Sequence, residues 1–227
     1  AESGISTFRD SGGIWDAHRI EDVCSAGCLE TNRAETIEFY DTRRIELQDK
    51  EPNHAHKMIA KLKERYKDDI ALITQNVDNL FEKAGIEHNK VLHLHGYITN
   101  LACEACGEVY DVGYKKVADS FNGQCPSCNS SKVRPFIVMF GEAAPKYQEL
   151  YDEFNDCEMF VAIGTSGTVV NPDMFLNKNI KISILNNLEE SDAINENLYS
   201  KALFKPASQA IDEIADEIIK FLDKKCI

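Results

Sequence analysis

The chain has 227 residues, 43% of them hydrophobic, which suits one domain, or one domain carrying a small module, with a sizeable core. It has 25 basic and 38 acidic side chains and a net charge of −13. Such an acidic chain argues against a nucleic-acid clamp, which needs basic side chains to neutralise phosphates. Its apolar runs, such as 159–163, are far shorter than the roughly 20 residues that span a bilayer, so no membrane partner is expected either.

Cysteine usage indicates the compartment. Of the eight cysteines, four are clustered between residues 103 and 128 and four are scattered, unlike the paired framework of a small secreted domain. The chain also opens without a charged-then-apolar targeting segment. We therefore expect a reducing, cytoplasmic location.

Helical periodicity dominates the first third of the chain. Apolar side chains spaced by three or four predict a helix from Leu29 to Leu47, and a second amphipathic helix follows Asn53. The short apolar run Ile70–Ile73 then precedes the polar residues 74–76. This is the pattern of a buried strand that ends in a loop.

Two later apolar runs end in the same way. Met159–Ile163 leads into the small polar residues 164–166, and Ile180–Leu185 leads into two asparagines. Such strands with helices between them predict an α/β fold built on an open parallel sheet, and residues 208–225 predict an amphipathic helix that covers it. Because ligands of these sheets bind beyond the carboxyl ends of the strands, the polar loops are candidate binding loops.

The composition changes between residues 101 and 135, where an inserted module is expected. Two Cys-x2-Cys pairs in it are separated by 18 residues, the spacing of a structural zinc site closed by four thiolates. Gly107 and Pro126 are expected to turn the chain tightly beside them. Two local disulfides or a redox Cys-x2-Cys motif are the alternatives. The candidate metal ligands are Cys103, Cys106, Cys125 and Cys128.

The polar loop after the first apolar run has two interpretations. Its amides and carboxylate, in residues 75–78, suit hydrogen bonds to a ribose or a carboxamide. Asn76 or Asp78 could equally cap a helix over 79–84. Both roles are compatible, and neither establishes the function alone.

Two further fragments are weak when taken singly. A lone histidine is more often structural than catalytic, but His93 and His95 before Gly96 at the end of a strand favour a general base. Residues 164–166 suit a nest of backbone N–H groups that binds phosphate. The opening residues 1–15 by themselves have the character of a generic surface loop.

Together and in chain order, these segments resemble the sirtuin family of NAD-dependent protein deacylases. The resemblance covers nearly the whole chain through AESGI-x-TFR, GG-x-W, TQNVDNL-x3-AG, HLHG, the two cysteine pairs, RP-x-IVMFGE, IGTS, NNLE and PASQ. It implies a single catalytic domain with a Rossmann-like parallel sheet, helices on both faces, a small zinc-ribbon module and a helical module. The expected bounds are approximately 1–18, 59–98 and 136–227 for the Rossmann-like part, 19–58 for the helical module and 99–135 for the zinc-binding module.

The resemblance also implies ligands and site residues. One zinc ion would be structural, and NAD would meet an acylated lysine of a protein or peptide in the cleft between the modules. His95 and Asn76 would be catalytic. The implied NAD contacts are Ala1, Phe8, Arg9, Trp15, Gln75, Asn76, Val77, Asp78, Gly164, Thr165, Ser166, Asn187, Leu188, Glu189 and Ala207. Substrate-binding residues would be Tyr40, Arg43, Val138, Phe140, Gly141 and Glu142, the last four pairing with the peptide as an added strand.

The mechanism implied by the resemblance begins when the acyl-lysine oxygen attacks the ribose carbon that carries nicotinamide. His95, as a neutral imidazole, then takes a proton from the ribose hydroxyls. Nicotinamide departs in the first step, and the proton transfer lets the 2′-oxygen attack the captured amide. Water would then complete the sequence to give free lysine, nicotinamide and O-acyl-ADP-ribose.

Tyr40 and Arg43 indicate a subclass. Three residues apart on a helix, they share a face and suit joint binding of a carboxylate, as in desuccinylase-type (class III) sirtuins. Cys24 stands where that class keeps the acyl pocket roomy. The resemblance therefore implies removal of succinyl and malonyl groups, and of acetyl groups too. Alternatively, Arg43 makes a surface ion pair with Glu46 or Asp41.

Some positions depart from the family pattern. A strand and a Gly-Ala-Gly turn are expected before Ala1, so we expect the natural protein to be longer. Ser6 stands where proline is common, and Phe81 where histidine is common.

Two other functions are kept as alternatives: a nucleotide-dependent oxidoreductase on a similar sheet, and a non-catalytic zinc-ribbon adaptor that binds acyl-lysine.

Overall fold

The structure is a computed structural model that describes residues 2–5 and 20–225. Within these ranges no helix is both long and apolar enough to cross a membrane. The α-helices are α1 (Ile20–Cys24), α2 (Cys28–Thr31), α3 (Arg33–Glu46), α4 (His54–Tyr66), α5 (Leu80–Lys83), α6 (Tyr147–Glu153) and α7 (Ala207–Lys225). Short 3-10 helices cover Leu47–Asp49, Lys67–Asp69, His88–Lys90, Phe121–Gly123, Pro172–Phe175 and Glu196–Leu198.

The strands within the described ranges form three sheets. They are β1 (Ile73–Thr74), β2 (Leu92–His93), β3 (Gly96–Cys103), β4 (Val109–Asp111), β5 (Val133–Ile137), β6 (Met159–Ile163), β7 (Ile182–Asn187) and β8 (Lys201–Phe204). β1 and β2 pair in parallel, β4-β3-β5 is antiparallel, and β6-β7-β8 is parallel. The predicted α/β class with a parallel sheet is confirmed.

The parallel sheet β6-β7-β8 is covered on both faces, which explains its continuous apolar sequence. Alternate residues of β6, including Val161 and Ile163, pack with Ile211 and Ile214 of α7. Ala162 between them packs with a different cluster. The prediction of β6 and of the C-terminal helix is confirmed, whereas β7 begins and ends two residues later than expected.

The expected strand over Ile70–Ile73 is wrong in its bounds. After α4 the chain makes a 3-10 turn in which Lys67 has a positive φ of 47°, and the Ile70 carbonyl accepts a hydrogen bond from Lys63 Nζ. The extended stretch therefore starts only at Ile73 and pairs with a two-residue partner. Hydrophobicity alone does not reveal this turn.

The helix expected over Leu29–Leu47 is confirmed except for a break at Asn32, whose φ of −131° separates α2 from α3. The second amphipathic helix is also confirmed as α4. It begins after Asn53, whose side-chain oxygen accepts a hydrogen bond from the His56 N–H at 3.2 Å.

A buried ion pair fastens α3 to the antiparallel sheet. The Arg44 side chain is fully buried, pairs with Asp41, and donates from Nε to the Ile98 carbonyl of β3 at 2.7 Å. The Asp41 carboxylate also accepts the Val117 N–H at 3.1 Å. The orientation of α3, which bears the predicted acyl-binding residues, thus depends on this pair.

Asp41→Asn should lower the free energy of unfolding by about 3–5 kcal/mol, because it leaves the buried Arg44 guanidinium without its counter-charge. Urea denaturation measures this change. Lys220→Ala, which breaks an exposed pair with Glu217 on α7, is the control and should change the free energy by less than about 0.5 kcal/mol. Equal stability of the two variants would contradict a role for the buried pair.

Candidate functional site

The parallel pairing of β1 and β2 brings two predicted site segments together. Thr74 lies opposite His93, and the Leu94 N–H donates to the Thr74 carbonyl at 3.0 Å. The chain after each strand therefore emerges at the same edge. There His95 Nδ1 lies 3.0 Å from the Gln75 carbonyl oxygen.

This contact defines the protonation of the neutral imidazole. A carbonyl only accepts hydrogen bonds, so Nδ1 carries the proton and Nε2 carries a lone pair. Burial lowers the pKa of His95 below its ordinary value of 6.5, and the hydrogen bond to Gln75 offsets this only in part. A half-buried, neutral base with its lone pair on Nε2 results.

Tyr147, the first residue of α6, faces that lone pair. Its hydroxyl lies 3.3 Å from His95 Nε2, and burial raises the pKa of the Tyr147 phenol. The protonated phenol donates to Nε2 in a long hydrogen bond. Sequence analysis missed this residue, because no motif connects it to His95.

Gly96 is required by packing directly after His95. Its φ is +90°, and a Cβ there would come 2.1 Å from the Phe136 carbonyl oxygen of β5. Only glycine fits this approach. The glycine of HLHG therefore lets the main chain turn from His95 into β3.

The loop over 75–78 is held by its own hydrogen bonds. Thr74 Oγ1 accepts the Asn76 N–H at 3.0 Å, and the Val77 carbonyl accepts the Ile98 N–H at 2.8 Å. Asp78 accepts the Leu80 N–H at 3.0 Å at the start of α5, although the N-cap position is Asn79, whose side chain makes no capping hydrogen bond. Burial raises the pKa of Asp78. The Asn76 side chain is exposed and accessible to a ligand.

The loops after β6 and β7 lie at one edge of the parallel sheet. Gly164 has a φ of +66° and donates its N–H to the Asn186 carbonyl at 2.8 Å. The Gly167 N–H donates to Thr165 Oγ1. In the part of the chain that the structure describes, the N–H groups of Thr165 and Ser166 donate no hydrogen bond. They are the two members of the expected nest that are available to an anion.

The remaining predicted cofactor residues in the described part lie at the end of β7, directly after it, or at the start of α7. Asn187 ends β7 opposite Phe204 and is buried, whereas Leu188 and Glu189 are exposed. Ala207 begins α7, and its N–H already donates to the Glu2 carboxylate at 2.7 Å. A carboxylate thus occupies the positive end of α7.

Tyr40 and Arg43 share one face of α3, as predicted. Tyr40 is buried in the same apolar cluster as Cys24, and burial raises the pKa of Tyr40. The Arg43 guanidinium lies over the Phe39 ring, 4.9 Å from its centroid. Burial lowers the pKa of Arg43, while the nearby charge of Glu46 opposes that shift.

Of the two acidic residues that the sequence allows as ion-pair partners of Arg43, the structure favours Glu46 over Asp41. Asp41 binds Arg44 and the Val117 N–H instead. Glu46 remains close enough to act on Arg43 electrostatically.

The segment over 138–140 connects His95 to the surroundings of Tyr40. The Val138 N–H donates to the His95 carbonyl at 2.9 Å, and the Phe140 N–H donates to the Cys24 carbonyl at 2.8 Å. Two residues of extended chain span only about 7 Å. The candidate base and the candidate acyl-binding residues are therefore held close together by main-chain bonds.

This segment is already paired within the chain. Phe140 forms an isolated parallel β-bridge with Ser25, and the Phe140 carbonyl accepts the Ala26 N–H at 2.7 Å. Glu142 binds Arg134 through both carboxylate oxygens and accepts the Met139 N–H. Gly141 has a φ of +86°. Pairing of a peptide here, which stays a prediction, requires some of these contacts to yield.

The four clustered cysteines form a closed donor set. Cys103 Sγ lies 3.6 Å from Cys128 Sγ, and Cys106 Sγ lies 3.7 Å from Cys125 Sγ. Tetrahedral zinc with bonds of about 2.3 Å separates its sulfurs by roughly 3.8 Å, so the set fits one zinc ion. All four are free thiols rather than disulfides. Such a site leaves no position for a substrate.

Matching turns present the two cysteine pairs. The Gly107 N–H donates to the Cys103 carbonyl, and the Asn129 N–H donates to the Cys125 carbonyl, both at 2.9 Å. Gly107 and Asn129 have φ values of 77° and 57°. Pro126 lies in the second turn, as expected, and Asn129 is the left-handed residue that closes it.

Four predicted cofactor residues, Ala1, Phe8, Arg9 and Trp15, lie outside the described residues. Their assignment stays a prediction.

Comparisons with known proteins agree with the fold and show the family. The Sir2 family model matches residues 1–172. An NAD-dependent protein deacylase of Campylobacter jejuni (strain RM1221) is 42% identical over 222 residues, covering 98% of this chain and 92% of that protein. A solved Sir2 homologue–NAD complex has a TM-score of 0.82 and 28% identity, covering 97% of this chain and 86% of that one. A Sir2 protein solved with a deacetylated p53 peptide and 3′-O-acetyl ADP-ribose has a TM-score of 0.75 and 26% identity, covering 96% and 87%.

Removal of zinc should destabilise the antiparallel module, because Cys103 and Cys125 lie in its core beside Leu101 and Val133. Metal binding at such a site contributes directly to folding. A strong chelator should lower the melting temperature measured by calorimetry, and Cys106→Ser should lower the zinc content. Cys157→Ser, outside the cluster, is the control. Unchanged melting after complete zinc removal would argue against a structural ion.

Proposed function

This chain belongs to the Sir2 family, and from that premise we propose that it is an NAD-dependent protein-lysine deacylase acting on succinyl-, malonyl- and acetyl-lysine. The observation that carries the proposal is the hydrogen bond between His95 Nδ1 and the Gln75 carbonyl. It couples a base of defined tautomer to the loop that is expected to hold the nicotinamide end of NAD.

The residues present fit NAD. Thr165 and Ser166 offer for phosphate two N–H groups that donate no hydrogen bond to the described residues. The exposed Asn76 side chain lies in the loop bound to His95. When bound, NAD supplies the sugar carbon to which the acyl oxygen transfers. The role of this chain is to orient that sugar beside His95 and to exclude water from it.

We assign the proton transfer to His95. Its Nε2 lone pair accepts a proton from a sugar hydroxyl, and the Gln75 carbonyl stabilises the resulting imidazolium through Nδ1–H. Tyr147 occupies Nε2 in the present structure, so its hydroxyl must yield this position to the sugar.

The acyl end is assigned to Tyr40 and Arg43. The half-buried guanidinium on α3 suits a charge-assisted contact with the free carboxylate of a succinyl or malonyl group. The link through residues 138–140 supports this assignment, because it ties Cys24, next to Tyr40, to His95. Acylated lysines of proteins or peptides are accordingly the proposed substrates.

Arg43→Met should lower kcat/KM for a succinyl-lysine peptide by roughly 10- to 150-fold, because a charged hydrogen bond contributes about 1.5–3 kcal/mol. The matching acetyl-lysine peptide should lose far less, since it carries no carboxylate. Both rates are measured by mass spectrometry at saturating NAD.

Arg65→Met is the matched control, because Arg65 binds Asp223 on the surface of α4. It should leave both rates unchanged. Equal losses on the two peptides in Arg43→Met would refute selective binding of the carboxylate.

The pH profile of kcat/KM should report the base. His95 acts only when neutral, and burial holds its pKa below 6.5, so activity should stay level at neutral pH and fall only below that value. His95→Ala should abolish turnover with an unchanged melting temperature. An acidic inflection above pH 6.5, or residual turnover in His95→Ala, would contradict this role.

A further inference from the structure

A second group of metal-binding side chains lies outside the cysteine cluster. Glu82 on α5, His88 at the start of its 3-10 helix and His93 at the end of β2 each offer a ligand atom, and these atoms lie within 4.8 Å of one another. Glu82 Oε1 is 3.0 Å from His88 Nδ1 and 2.8 Å from His93 Nε2.

Two of the three separations, those from Glu82 to each histidine, are close to the separations between ligands of a coordinated ion. Zinc bonds of about 2.0–2.1 Å at tetrahedral angles separate neighbouring ligand atoms by roughly 3.3 Å. The two measured separations need to open by only a few tenths of an ångström. Two imidazoles and one carboxylate are also a donor set that binds zinc with a fourth position open.

Hydrogen bonding within the group is incomplete. His93 is 3% exposed, and its Nδ1 has no hydrogen-bond partner in the described part of the chain. The same holds for Glu82 Oε2, which is also buried. Polar atoms left in this state carry a free-energy penalty, and a bound cation would use the second oxygen of Glu82.

The group is accessible from one side. The His88 side chain is 51% exposed, whereas those of Glu82 and His93 are largely covered. An ion can therefore enter past His88, and the net charge of −13 favours cations near the chain.

We propose that Glu82, His88 and His93 form a second zinc site, with its open coordination position on the solvent side beside His88. Unlike the closed cysteine site, it exchanges its ion with solvent. This second site lies next to the candidate active site, because α5 follows the loop over 75–78 and His93 precedes His95 by two residues. A bound ion fastens these two segments to each other.

Zinc stoichiometry tests the proposal on the holoenzyme, freed of any histidine tag, after equilibrium dialysis against micromolar zinc. Elemental analysis should find two ions per chain in the unmodified protein, and one in Glu82→Gln and in His88→Ala. Gln keeps the acceptor for both histidines but lacks the charge that the ion requires. Added zinc should raise the melting temperature only where the second ion binds.

His54→Ala is the control, because His54 is a half-exposed histidine bound to a single carboxylate, that of Asp212 at 2.7 Å. It should retain both ions. A single ion in the unmodified protein would overturn the proposal and leave a hydrogen-bonded cluster only. Two ions in Glu82→Gln, or one in His54→Ala, would overturn it as well by locating the second ion elsewhere.

Discussion

The hydrogen bond from His95 to the Gln75 carbonyl is the interaction on which the catalytic account depends. It selects the tautomer with a lone pair on Nε2, and it joins the two loops that follow β1 and β2. Because those strands are only two residues long, their pairing alone gives little rigidity. The Ile98–Val77 hydrogen bond and the close packing at Gly96 supply the rest.

The face of α3 that carries the proposed acyl-binding residues is positioned by two other residues of the same helix. Asp41 and Arg44 alternate along α3 with Tyr40 and Arg43 and anchor the helix to β3 and to Val117. One helix thus carries the buried structural pair of Asp41 and Arg44 and, beside it, the half-buried Arg43 that we propose binds the acyl carboxylate.

The sequence predicted the parts of the molecule that follow from local pattern. The cysteine spacing, the apolar run of β6 and the amphipathic repeat of α7 each reflect a single physical requirement, so each was predicted correctly. The start of β1 was misplaced, because the turn at Lys67 has no hydrophobic signal. Pro126 lies in the second cysteine turn as expected, whereas Asn129, the left-handed residue that closes this turn, was not predicted, although asparagine tolerates positive φ.

Contacts between distant parts of the chain were not predictable from spacing. Tyr147 meets His95 across 52 positions, and the Glu2 carboxylate meets the start of α7 across more than 200. The Glu82, His88 and His93 group needs the pairing of β1 with β2 before its members approach one another. Motif resemblance named the family, but only the fold reveals these neighbours.

In the most direct measurement, the protein is incubated with matched succinyl- and acetyl-lysine peptides, with and without NAD. Peptide mass and released nicotinamide are followed together. The account predicts that each lysine freed is accompanied by one nicotinamide, and that neither appears without NAD or in His95→Ala. Peptides that stay acylated while NAD remains intact or is reduced to NADH would contradict it.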